Sequence, residues 1–413
     1  MKPQYELFNI SQRKDYTFKY NSKLGRHGWL RLTPAYSVKL VKEIIDEISD
    51  VKFILDPFSG TGTTGLVAAE HGFNANIFDI NPFLVWFGNT KCKNYLFEDV
   101  EYLRQKKEQI LELLPSYISQ HNWEPDIHNI ERWWSRDTLL ILSALHKSIC
   151  EAIGNPQDNS TGNLLWVAFN RLIIETSSAA FNHVSMSFHN YVKIHELDQI
   201  RQLYSLSVDQ ILSSVKVSFI GNANAYLIDS KNFENNFNDQ RYSHVITSPP
   251  YPNRISYIRE LRPYMYWSKF LSNSNSAGEL DWESIGGTWG IATSRLKDWQ
   301  PTQTELQSGL NKIIENIVST DKKYSNLLAK YVLKYFHDMH IHFDTMRKHL
   351  SNNARIYYII GNSSFYGAAV PTHELLAESL HQLGYKNIQT KVIRKRNTKK
   401  QLYEYCISAT YIK

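Results

Sequence analysis

Two clusters, far apart in the chain, hold residue types suited to chemistry. The first is Asp56-Pro57-Phe58-Ser59-Gly60-Thr61-Gly62-Thr63-Thr64-Gly65. Glycines 60, 62 and 65 form GxGxxG, the mark of a tight turn between a strand and a helix and of many dinucleotide sites. Asp79, 19 residues after Gly60, stands where a carboxylate can accept bonds from both ribose hydroxyls of an adenosine. That fits NAD and any other adenosine cofactor. Asp56 favours a cation. A pyrophosphate beside it would meet like charge in a partly desolvated place, whereas S-adenosylmethionine carries an ammonium, a sulfonium and no phosphate.

The second cluster is Ser248-Pro249-Pro250-Tyr251. Two prolines stiffen the backbone and remove two amide donors, leaving carbonyl acceptors, a hydroxyl and a ring. The exocyclic amine of a nucleobase is a poor nucleophile because its lone pair is delocalised. Acceptors such as the Pro249 carbonyl and the Ser248 oxygen stabilise the charge that develops on it during methyl transfer, and Tyr251 can stack on a base flipped out of the duplex. None of Cys92, Cys150 and Cys406 follows a proline, which argues against chemistry at C5 of cytosine.

The elements that must position these clusters read as α/β. Val51 to Leu55 is a short apolar strand ending at Asp56. Thr64 to His71 is a helix, and Asn76 to Phe78 is a second strand. Together they make a βαβ unit. Ser37 to Ile48 has a helical apolar period. Further strands are expected at Val215 to Ile220, Ser243 to Thr247, Ala354 to Ile360, Ile388 to Arg394 and Leu402 to Tyr411. Helices are expected at Tyr257 to Leu271, Lys322 to Leu350 and Thr372 to Leu383. Residues 82–214 show mostly helical periodicity and no convincing strand, and 272–305, rich in Ser, Asn, Gly and Trp, read as a long loop or small insertion. The expected fold is a Rossmann-like, doubly wound, mostly parallel sheet with a large helical insertion. Ligands of such a sheet bind beyond the carboxyl ends of its strands, so the two clusters are expected on one edge. The chain divides into 1–81 (cofactor half), 82–214 (helical insertion, candidate target-recognition region), 215–271 (catalytic part), 272–321 (loop-rich insertion) and 322–413 (end of the sheet with a basic hairpin).

Composition narrows the class. The chain has 413 residues, 42% hydrophobic and 21% charged, which excludes wholesale disorder and collagen-like structure. A net charge of +6 is a mild bias toward polyanions. Three scattered cysteines fit a reducing compartment. No signal peptide is evident, and the most apolar stretch, Leu164 to Phe181, is interrupted by Asn170, Arg171 and Glu175, so a buried helix is expected, no membrane partner, and a cytoplasmic location.

The paired clusters resemble the amino-group DNA methyltransferases, the enzymes that make N4-methylcytosine or N6-methyladenine. Asp56 to Thr64 resembles their cofactor motif and Thr247-Ser248-Pro249-Pro250-Tyr251 their catalytic motif. His27 to Tyr36, with Thr33-Pro34, resembles the motif that closes over the methionine part of the cofactor. Asp79 matches the ribose-binding acid, and Gly221-Asn222-Ala223 resembles the motif whose residue near the adenine would be Asn222. The resemblance implies S-adenosylmethionine bound by Thr33, Pro34, Asp56, Pro57, Phe58, Gly60, Gly62, Thr63, Thr64, Asp79 and Asn222, with Ser248, Pro249, Pro250 and Tyr251 catalytic. It implies double-stranded DNA as partner and leaves open a cognate restriction endonuclease or defence system. Ser at the first catalytic position points to cytosine N4. The alternatives are adenine N6, an RNA base methyltransferase, and a catalytically silent nucleic-acid-binding subunit.

Residues 391–400 hold six basic residues in ten. On such an enzyme Arg394, Lys395, Arg396, Lys399 and Lys400 are expected to contact phosphates, with Arg254 and Arg259 beside the catalytic turn. His337, His340 and His342 are read as surface histidines and no metal is expected. Trp123, Trp133 and Trp134 are read as core.

Overall fold

A computed structural model describes residues 10–32, 36–180, 187–215, 218–232, 240–287, 291–302, 308–396 and 401–413. The strands of the main sheet are β1 (Ile54–Asp56), β2 (Ala75–Asp79), β3 (Ala223–Leu227), β4 (Tyr242–Thr247), β5 (Leu350–Gly361), β6 (Lys386–Lys395) and β7 (Tyr403–Tyr411). Their spatial order is β6-β7-β5-β4-β1-β2-β3. β1 pairs in parallel with β2 and β4, β2 with β3, and β4 with β5. β7 runs antiparallel to both β5 and β6. The carboxyl ends of β1 to β6 therefore share one edge, and β7 begins there.

Packing on both faces explains why the central strands β1, β2 and β4 are buried along their length, whereas the edge strand β6 is polar and largely open. Ile54, Ile77, Ile246 and Ile359 face the core formed with helices Val38–Glu47 and Thr63–Glu70. Their neighbours Leu55, Phe78, Val245 and Ile360 face the opposite core, formed with helices Ser325–Arg347 and Thr372–Gln382. A sheet covered on both faces has no solvent side to keep polar. Each fully buried Ile or Leu adds roughly 1.5–3 kcal/mol.

Helices Pro82–Cys92, Phe97–Ile118, Arg136–Ile153, Asn163–Glu175 and Leu197–Ser214 form a body with a core of its own. Trp133, Trp134, Trp166 and Phe169 lie in it, and so do Tyr264, Met265 and Trp267 from helix Tyr257–Trp267; Trp123, expected in the core, is instead 42% exposed. The α/β expectation with a helical insertion thus describes the fold. Among the described residues no helix is long and apolar enough to cross a membrane.

Several local expectations are corrected. The strand expected at 215–220 lies instead at Ala223–Leu227. Ile220 is 94% exposed, and Gly221-Asn222 opens the strand instead of closing it. The expected loop at 272–305 contains helices Ser274–Glu283 and Ile291–Leu296. The Ser/Asn content that suggested a loop is a helix start: Asn273 accepts a bond from the Ser276 amide, the role Asn plays at an N-cap. The helical block contains one minimal antiparallel pair, Ala179–Ala180 with Ser187–Phe188. His337, His340 and His342 are buried, not on the surface. His337 meets Thr302, His340 meets Ser379, and His342 meets Ser230 and Tyr358.

Candidate active site

The carboxyl edge of the sheet opens into a cavity of about 1040 Å³, at the upper end of the range for small-molecule sites. Pro57, Phe58, Gly60 and Asp79 line one side, and Ser248, Pro249, Pro250 and Tyr251 line the other. The two clusters meet because β1 and β4 are parallel neighbours, with Ile54 opposite His244 and Leu55 opposite Val245.

On the first side the turn after β1 bends back under backbone control. Gly60 and Gly62 have φ of +48° and +70°, the left-handed region that favours glycine. The Gly60 and Asn81 amides each donate to Asp79, at 2.9 Å. Burial pushes the Asp79 carboxyl up to about 7. Buried Lys91 donates from Nζ to the Thr61 carbonyl at 2.7 Å, and burial brings its amine down to about 8. Nothing in the sequence marked Lys91 as the brace of this turn.

Asp56 sits lower than its position in the chain suggests. All three residues of β1 are buried, and the Asp56 carboxylate accepts from the Thr247 hydroxyl at 2.5 Å, the Phe58 amide at 3.1 Å and the Tyr36 hydroxyl at 3.3 Å. Burial pushes its carboxyl up to about 6. Tyr36, not Asp56, lines the cavity. Gly62, Thr63 and Thr64 begin the helix behind the turn and do not line it. Thr64 donates to the Ile246 carbonyl, stitching β1's helix to β4.

Asn222 lies at the opening end of β3, where its carbonyl accepts from the Ala75 amide, on the rim opposite the cavity. Asp229, just beyond the closing end of β3, lines the cavity. Thr33 and Pro34 fall outside the described residues, as do Lys399 and Lys400.

The second side is assembled from many segments. The Ser248 hydroxyl donates to the Ile359 carbonyl at 3.0 Å and lies 3.4 Å from the Tyr251 hydroxyl. Tyr251 donates to Glu404 at 2.8 Å, and its amide donates to the Tyr257 hydroxyl. Tyr335, on the long helix Ser325–Arg347, donates to the Pro250 carbonyl at 2.9 Å. Arg394 clamps Glu404 through Nε at 2.7 Å and Nη2 at 3.2 Å. The Arg396 guanidinium stands 5.0 Å from the centre of the Tyr251 ring, a cation–π arrangement. Arg394, Lys395 and Arg396 therefore form cavity wall; Arg394 and Arg396 are engaged inside it, because the β6–β7 hairpin turns over at the ligand edge. Arg254 is exposed and Arg259 partly so, each close in sequence to the Ser248–Tyr251 turn.

A family model described as D12 class N6 adenine-specific DNA methyltransferase matches residues 38–226. A Type II methyltransferase, M.BsoBI of Geobacillus stearothermophilus, is 24% identical over 97% of this chain and 86% of its own length. Over nearly its whole length the chain is thus similar to DNA methyltransferases of Type II. M.MvaI of Kocuria varians is 21% identical over 96% of this chain and 89% of its own. M.AvaI of Anabaena variabilis is 22% identical over 92% of this chain and 83% of its own. Both are also Type II methyltransferases.

Methyltransferases of this family use S-adenosylmethionine, and the cavity suits it. Asp79, which lines the cavity, is driven toward its neutral form by burial. A ligand bringing positive charge and ribose hydroxyl donors relieves that penalty, and a phosphate adds to it. The cofactor supplies an electrophilic methyl group. The chain binds, orients and shields it.

Proposed function

We propose that the chain methylates the exocyclic amine of a base extruded from double-stranded DNA, and that the base is cytosine, modified at N4. The carrying observation is the shared cavity: the glycine turn with Asp79 faces Ser248 to Tyr251 across one space. In-line transfer then needs only positioning and acceptors. On this reading Phe58, Gly60 and Asp79 hold the cofactor, and Ser248 with the Pro249 carbonyl receives the amine. Tyr251 stacks on the base, which takes the place over the ring now held by Arg396.

Adenine N6 is the second reading, favoured by the description of the matching family model. That match ends at residue 226, before Ser248, so it bears on the cofactor half and not on the base-binding turn. Ser248 at the head of the turn supports cytosine.

The Type II relatives support a place in a restriction-modification system with a cognate endonuclease. We assign target reading to the helical body, 82–214, and phosphate contact to Arg254, Arg259 and Lys395. Incubation with labelled cofactor and DNA of varied sequence, followed by mass spectrometry of the nucleosides, tests the whole reading. N4-methylcytosine is expected. N6-methyladenine selects the second reading, and methyl transfer to RNA alone, or no transfer, overturns both.

A further inference from the structure

Methylation of an amine leaves a proton to be removed, and Ser248 cannot hold it. The nitrogen forms a bond to the methyl carbon as the carbon–sulfur bond breaks, with that electron pair remaining on sulfur. The nitrogen then carries a positive charge and one hydrogen too many. Beyond Ser248 the structure holds an ordered set of groups. The Ser248 hydroxyl is directed at the Ile359 carbonyl and at the Tyr251 oxygen, 3.4 Å away, and the Tyr251 hydroxyl donates to Glu404 at 2.8 Å. Glu404 is 5% exposed, and its carboxylate is held on the far side by both Nε and Nη2 of Arg394.

We propose that Glu404 ends a proton relay, running from Ser248 through Tyr251, that takes up the proton released by the methylated amine. This rests on the amine-methylation reading above. The amine proton passes to Ser248 Oγ, the serine proton to the Tyr251 oxygen, and the tyrosine proton to Glu404, which becomes neutral. Serine and tyrosine end as they began. The step is downhill. An exocyclic ammonium on a nucleobase is strongly acidic, because losing the proton returns its lone pair to the ring. Arg394 fixes which way the carboxylate points. Glu404 is a positioning residue acting through Tyr251.

The test is single-turnover methyl transfer to DNA, with cofactor affinity followed by calorimetry and folding by thermal melting. E404Q keeps the shape and removes the base. It is expected to slow transfer about 10²-fold while cofactor affinity stays within about twofold. E404D, less similar in shape but still a carboxylate, is expected to keep more activity than E404Q. Y251F interrupts the same path, so the E404Q/Y251F pair is expected to be no slower than the slower single variant. Where the orphaned Arg394 destabilises E404Q, the R394M/E404Q protein carries the comparison and is expected to stay slow. A rate for E404Q within about twofold of the parent, E404D slower than E404Q, or losses that multiply in the pair would each overturn the relay. If the parent protein transfers no methyl group to any DNA, the amine-methylation reading falls first, and that result is distinct from an E404Q that works.

Discussion

The two sides of the cavity differ in how many pieces of chain make them. On the β1–β2 side, the glycine turn and the acid that holds it come from one stretch, 56–79, with Lys91 close behind. On the β4 side, Ser248 and Tyr251 depend on Tyr257, Tyr335, Ile359, Arg394, Arg396 and Glu404, drawn from β5, both strands of the terminal hairpin and two helices. The first side is set by backbone conformation and the second by side-chain contacts between distant elements. Damage to the first should therefore appear in binding or folding, and damage to the second in rate.

The strongest way to break that contrast is Ser248→Ala. Loss of about 10²-fold to 10³-fold in methyl incorporation is expected, with cofactor affinity intact by calorimetry. A parallel loss of affinity would show that the sides are not separable. Asp79→Asn should do the reverse. Removing the charged acceptor is expected to weaken cofactor binding about tenfold or more, while DNA binding by gel shift is retained. Gly62→Ala sharpens the backbone claim. At φ +70° an added Cβ lies 3.5 Å from Gly88 and Ile77, so the cost is conformational, about 1–2 kcal/mol, read as a lowered denaturation midpoint.

The smallest effect is in pH. Asp56 and Asp79 have carboxyls raised in the folded chain to about 6 and about 7. The unfolded chain gives up these protons first, so the stability they contribute is greatest below about pH 4 and is lost as pH rises toward 7. Melting of the cofactor-free protein is expected to fall across that window, and less so in Asp79→Asn.

The same contrast explains what the sequence made legible. Asp56, Gly60 and Asp79 announce themselves because strand end, turn and next strand end are close in the chain. Ser248 to Tyr251 stands out by its prolines. Glu404 carried no signal. It opens β7 in an ordinary Tyr-Glu-Tyr run, and its meaning arises only when β7 lies beside β5. Arg394 and Arg396 read as phosphate contacts because a basic run at a hairpin usually faces solvent; the parallel direction of β6 and β5 turns that hairpin over the cavity instead. Asn222 failed for a related reason. The strand was placed one turn early, which exchanged its ligand end for its opposite end and hid Asp229.

Helix Tyr257–Trp267 begins six residues after Tyr251. Its first residue braces the Tyr251 amide, while Tyr264, Met265 and Trp267 are embedded among the tryptophans of the helical body. One short lever thus spans both masses. On the function proposed above, a shift of the helical body by ~1 Å as it settles onto a duplex moves the turn assigned to transfer, and a displacement of that size is worth about 10²-fold in rate. Correct and incorrect DNA sites can then be told apart by how fast they react, even where they are held equally tightly.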